Sequence, residues 1–287
     1  MAITRRTRTV VLVGAIMLVT GPLFVEGRAG AAKLPAAGVP VGPGAEFTVL
    51  SKGTTSDPFE ITSAGPTQLE WAQVSVAPHG TTGLADGGGI VVATVTQGVA
   101  TALSSEAGGC ARRSADTGAS FVRPAGRAGA ILNDTSDPLE LTVVTLTPTG
   151  RVDALPAGSC PAAAPAGVTS KVLQRSIVEQ PISAESKGSS DIWVGLVNFA
   201  AGGTLPWHVQ QRPYFLGVNQ GRVTLTLANG GACDARTYPE GQGFFEPPRT
   251  DHLVSNDTQQ PAAVYFIGFV PSPQPLIAPA APARGCS

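Results

Sequence analysis

The feature that most constrains what this chain can fold into is an internal repeat without gaps. A displacement of 123 residues brings Val49-Leu50 onto Val172-Leu173, Gln97-Gly98 onto Gln220-Gly221 and Cys110 onto Cys233. The register persists through Gly118 on Gly241, Phe121 on Phe244, Pro124 on Pro247 and Asn133-Asp134-Thr135 on Asn256-Asp257-Thr258, and closes with Pro148 on Pro271. Many of the matched positions are Gly, Pro, Asn or Cys, which set turns and crosslinks. Two copies of one backbone plan are therefore expected, over about 49–148 and 172–271.

Both copies alternate with period two. Val223, Leu225 and Leu227 fall on one face of a strand, with Arg222, Thr224 and Thr226 on the other. In the first copy Ala72, Val74 and Val76 share a face opposite Gln73 and Ser75. That is the pattern of a half-buried strand. With 35 Gly and 25 Pro and no amphipathic helix of more than a few turns, the chain is expected to be all-β, with short strands joined by turns.

The ends and joins separate by composition. Arg5, Arg6 and Arg8 precede an almost wholly apolar run from Val10 to Val25, and Ala29-Gly30-Ala31 offers a small-residue cleavage site. Residues 1–31 are read as a signal peptide, so the chain is expected to be secreted, or held at the cell surface, with no membrane span in its mature part. Without them Lys+Arg falls from 19 to 15 and Asp+Glu from 20 to 19, a net charge near −4 that favours neither nucleic acid nor an anionic membrane as partner. Residues 32–48 read as a flexible tether and 150–171, rich in Pro and Ala, as a linker. They bracket two domains, 49–149 and 172–287.

Four cysteines in an exported chain imply two disulfides, with three connectivities open. The separations of 50 residues (Cys110 to Cys160) and 53 (Cys233 to Cys286) favour one bridge within each copy. No C-x-x-C spacing points to zinc instead.

The second copy carries two motifs. Gly202, His208, Gln210, Tyr214 and Gly221 are spaced as Gly-x5-His-x-His-x3–4-Glu-x6-Gly, and Gly241, Pro247, Arg249, His252 and Asn256 as Gly-x5-Pro-x-Gly-x2-His-x3-Asn. These spacings resemble the two signature motifs of the cupin superfamily. The resemblance implies two tandem cupin-type antiparallel β-barrels, of the jelly-roll or double-stranded β-helix kind, which often hold a divalent iron, manganese, nickel or zinc ion on three His and one Glu. By that resemblance His208 and His252 match metal ligands, while Gln210 and Tyr214 replace a His and the Glu. An amide oxygen is a weaker donor, and a phenol is protonated at neutral pH. Glu246 and Asp251 lie beside the second motif, and alternation alone does not settle whether they point inward.

In the first copy the four positions are Ala85, Gly87, Val91 and Gly129, none able to ligate a metal through its side chain. His79, the one histidine there, aligns with Gly202 and is expected in a solvated loop. The first barrel is thus a degenerate half. The second offers a ligand pocket of His208, Gln210, Tyr214 and His252, with His208 and His252 able to hold one metal. With two ligands replaced, the sequence favours a module that binds a small polar molecule, or a structural module, over a metal-dependent dioxygenase or isomerase. Both monomer and dimer are compatible with it.

Overall fold

The computed structural model describes residues 39, 41–85, 87–149, 160–161, 163–230, 232–282 and 285–286. The signal-peptide reading of 1–31 lies outside them. Among the described residues all regular structure is β, and no helix is long and apolar enough to cross a membrane. The first half supplies β1 (Ala45–Thr55), β2 (Phe59–Ser63), β3 (Thr67–Thr81), β4 (Ile90–Gln97), β5 (Val99–Glu106), β6 (Gly109–Asp116), β7 (Ser120–Arg123), β8 (Gly129–Leu132) and β9 (Leu139–Pro148). The second supplies β10 (Ala166–Val178), β11 (Ile182–Ser186), β12 (Ser190–Phe199), β13 (Thr204–Val209), β14 (Tyr214–Gln220) and β15 (Arg222–Asn229). It continues with β16 (Ala232–Pro239), β17 (Gln242–Glu246), β18 (His252–Ser255), β19 (Ala262–Pro271) and β20 (Ala278–Pro279).

These strands close two barrels of facing sheets. In the second barrel the run β1-β12-β19-β14-β17 faces β16-β15-β18-β13-β20, and in the first β10-β3-β9-β4-β7 faces β8-β5-β6. This is the all-β, two-barrel architecture that the cupin resemblance implies. Alternation places Val223 and Leu225 in the second interior with Leu216, Phe244 and Phe266, and Val74 and Val76 in the first with Val95, Ile131 and Leu141.

The two halves exchange their first strands. Strand β1 pairs antiparallel with β12, from Ala45 opposite Phe199 to Thr55 opposite Ser190. Reciprocally β10 pairs antiparallel with β3, from Ala166 opposite Thr81 to Val178 opposite Thr67. Strands β1 and β10 thus begin inside the stretches whose composition reads as tether and linker. Backbone pairing, which is indifferent to side chains, orders them. Strands β2 and β11 pair with each other around Ile61 opposite Ala184, positions 123 apart, so the contact lies on the two-fold axis relating the halves. Beneath it lies a shared core of Phe59, Ile61, Leu69 and Trp71 with Ile192, Val194, Phe215 and Phe269.

Turn chemistry recurs in both halves. Asn133 and Asn256 are buried, and each amide nitrogen donates to a carbonyl four residues on, at 2.7 Å, while the side-chain oxygen accepts from Thr135 or Thr258. The Asn-Asp-Thr triplets therefore build turns. His79 lies exposed within β3, not in a loop, with φ 59°, matching the φ of 70° at its counterpart Gly202. Both expected disulfides are present, Cys110–Cys160 and Cys233–Cys286.

Trp71 is fully buried in the shared core, and its ring edge occupies the space where a side chain on Gly217 of β14 would sit, 2.7 Å from an added Cβ. Trp71→Ala is expected to destabilise the whole chain by about 3–5 kcal/mol. In denaturant unfolding both halves should lose stability together in one transition.

Candidate metal centre in the second barrel

Four adjoining strands bring the site together. His208 on β13 and His252 at the start of β18 are register partners, and Tyr214 opening β14 pairs with Glu246 closing β17. The rings of His208 and His252 meet edge to face with centroids 4.2 Å apart. His208, Gln210 and Glu246 are each only 2% exposed, and His252 is fully buried. One ligand atom from each of His208, Glu246 and His252 lies within 4.8 Å of the other two.

Local hydrogen bonds settle the imidazole tautomers. Nδ1 of His208 lies 2.7 Å from the carbonyl oxygen of Pro206, and Nδ1 of His252 lies 2.7 Å from that of Thr250. A carbonyl oxygen only accepts, so both Nδ1 atoms carry a proton and donate it, which leaves both Nε2 lone pairs for a ligand. This is the outer-shell arrangement typical of metal-binding histidines.

Glu246 is the charged member. Its Oε2 lies 3.5 Å from His252 Nε2 and accepts from Gln210 Nε2 at 3.4 Å. Burial pushes the His208 imidazole below its ordinary value, aided by the nearby His252, with Glu246 and the Pro206 carbonyl acting the other way. For His252 burial also opposes the charged form, but the Glu246 carboxylate, by charge and hydrogen bond, with smaller help from Thr250 and Asp251, raises it on balance.

Two buried polar atoms here have no hydrogen-bond partner, Gln210 Oε1 and Glu246 Oε1, and His252 Nε2 has only the long 3.5 Å approach of Glu246 Oε2. Buried polar groups are nearly always satisfied, and leaving one unpaired costs about 1–3 kcal/mol, more when it is charged. Two imidazoles, a carboxylate and an amide oxygen form the N/O donor set that suits a divalent transition metal. The residues present therefore fit such an ion.

The four expected pocket residues do converge, but their roles differ from their positions in the motif. Tyr214 is not placed to ligate. Its hydroxyl donates to the Leu276 carbonyl, and burial, then the neighbouring Glu246 charge, raise the phenol well above its ordinary value and keep it protonated. Glu246 supplies the carboxylate that Tyr214's position lacks. The signal for it is the spacing in Phe244-Phe245-Glu246, because alternation from the fully buried Phe244 turns Glu246 inward as well. Asp251 is exposed and serves only by charge. Arg249, where the motif has Gly, adopts φ 55°, and its amide donates to the Gln210 carbonyl at 2.8 Å. The C-terminal segment covers this barrel, with Leu276 and Ile277 in its core and β20 paired to β13.

No protein-family profile matches the chain, and no curated protein sequence does. Among solved structures it is similar to the oxalate decarboxylase of Bacillus subtilis, with Mn(II) centres, at 15% identity and a TM-score of 0.33 over 75% of this chain and 76% of that one. The structure of that enzyme at pH 4.6 matches at 14% identity and a TM-score of 0.34, over 75% of each chain. An oxalate oxidase in complex with the substrate analogue glycolate matches at 25% identity and a TM-score of 0.28, over 30% of this chain and 45% of that one.

The electrostatics predict an outcome for Glu246→Gln. Removing the carboxylate leaves burial as the dominant influence on His252, so its imidazole should titrate below the ordinary histidine value instead of above it. NMR titration of the ring protons in chelator-treated protein checks this. An unchanged midpoint would mean that Glu246 does not face His252.

Proposed function

We propose that the second barrel is the centre of a metal-dependent enzyme, of dioxygenase or isomerase type, acting on a small polar molecule outside the cytoplasm. One divalent ion (iron, manganese, nickel or zinc) would be held by His208 Nε2, His252 Nε2 and the Glu246 carboxylate, with Gln210 Oε1 as an adjoining donor. The observation that carries this reading is Glu246. The motif positions alone leave two histidines and two weak substitutes, which favours a binding or structural module. A buried carboxylate beside two imidazoles of suitable tautomer shifts the balance to a metal centre. Two His and one carboxylate leave coordination positions open for substrate and water.

When bound there, such an ion supplies Lewis acidity and, for iron or manganese, redox chemistry. The chain's own residues do the rest. Pro206 and Thr250 hold the imidazoles in register, and the Gln210 amide orients the carboxylate. Tyr214, bonded to Leu276, anchors the C-terminal segment over the barrel and helps to exclude bulk water. Two disulfides suit an oxidising compartment, which supports export.

The test is the metal content of protein purified without chelator and then offered Fe(II), Mn(II), Ni(II) and Zn(II). Near-stoichiometric metal is expected, with affinity weakened more than about 100-fold in Glu246→Ala and in a His208→Ala, His252→Ala double variant. A folded wild-type chain that takes up none of the four would return the second barrel to a binding or structural role.

A further inference from the structure

The first barrel holds a cavity of about 380 Å³ at the place where the second holds its candidate metal centre. Ala85, Val91 and Gly129, the positions equivalent to His208, Tyr214 and His252, line it. Truncation opens it. At the 123-residue offset Val91 stands for Tyr214, Ala102 for Leu225 and Val143 for Phe266, while Phe121 keeps the ring of Phe244. Tyr214, Leu225, Phe244 and Phe266 are buried in the packed second interior. Their counterparts Val91, Ala102, Phe121 and Val143 are only partly buried and face the cavity. Its volume lies in the range of small-molecule sites.

The seats of the missing rings have changed as well. In the second barrel the Tyr214 ring lies over Gly268, 2.7 Å from an added Cβ, and the Phe266 ring lies over Gly195. Thr145 and Ala72 replace these glycines in the first barrel, so neither ring could take its twin's pose there. The open interior is thus built in by linked replacements and not by one lost side chain. Val74 and Ile131 complete an apolar wall with Val91, Ala102, Phe121 and Val143. Arg113 and Arg127, also on the lining, are each paired with an acid, Asp57 and Glu106.

We propose that the first barrel is a binding site for a small uncharged molecule whose body is an apolar, fused-ring system. The truncated positions Val91, Ala102 and Val143 receive the rings, in the space that side chains fill in the twin. An apolar cavity of about 150 Å³ is enough for benzene, so the larger space here has room for a fused pair of rings. A charge buried against the same wall would lose its hydration without a partner in return. The degenerate half then carries a function of its own, with or without metal in the second barrel.

Equilibrium dialysis of the purified chain against indole and 2-naphthol, both uncharged at neutral pH, tests it. The wild type should bind a single equivalent of each. Ala102→Leu, which restores the bulk of Leu225, should weaken both about tenfold or more. Val91→Tyr combined with Thr145→Gly transplants the twin's ring together with its seat, since Val91 and Thr145 are register partners as Tyr214 and Gly268 are. It should weaken binding as much, and it keeps the test sound if Ala102→Leu fails to fold. A wild type that takes up neither compound overturns the proposal. So does undiminished affinity in either variant that melts as cooperatively as the wild type.

Discussion

Everything else in this structure depends on the reciprocal exchange of β1 and β10. Each barrel needs one more strand at the edge of a sheet than its own half supplies, and takes it from the other half. An unpaired edge would leave a row of backbone donors and acceptors open to intermolecular pairing. Exchange within one chain satisfies that row and draws Phe59, Ile61, Trp71 and their counterparts into a common core. A local loss in one half is therefore felt in both.

The shared backbone plan carries side chains of opposite sign at equivalent positions. In both barrels the last residue of a short strand is register partner to a residue at the start of the neighbouring strand. It is Glu246 beside Tyr214 in one case and Arg123 beside Val91 in the other. The supporting bonds match: the Arg249 amide donates to the Gln210 carbonyl as the Gly126 amide donates to that of Gly87, both at 2.8 Å. A rigid frame lets one side chain be replaced by another of opposite charge without rebuilding the barrel, because position belongs to backbone pairing and chemistry to the side chain.

Burial is what gives the cluster in the second barrel its character. In the second barrel a carboxylate, an amide oxygen and an imidazole nitrogen are kept from water with bonding capacity unused, an arrangement that stability alone does not favour. Protein interiors tolerate such strain at functional sites. In the first barrel a cavity of about 380 Å³, walled in part by Val74, Ile131 and Val143, stands where the second packs side chains.

Much of the fold was legible in the chain. The gapless offset, the period-two alternation and the cysteine spacings express turns, strand faces and crosslinks, all set by residues near one another or by a repeated pattern. That His208, His252 and Gln210 belong to one cluster was legible by motif spacing. Three things were not. Alternation is the same whether a strand pairs inside its own half or across to the other, so the exchange of β1 and β10 left no mark in the pattern. Which residues Glu246 and Arg123 stand beside depends on the strand register that their neighbours impose. And the cavity is a difference between summed side-chain volumes and the space the barrel encloses. Local sequence determined the barrels and their turns. Only tertiary structure decided which buried groups meet, because contact between residues distant in the chain is set by register and packing, which no single stretch encodes.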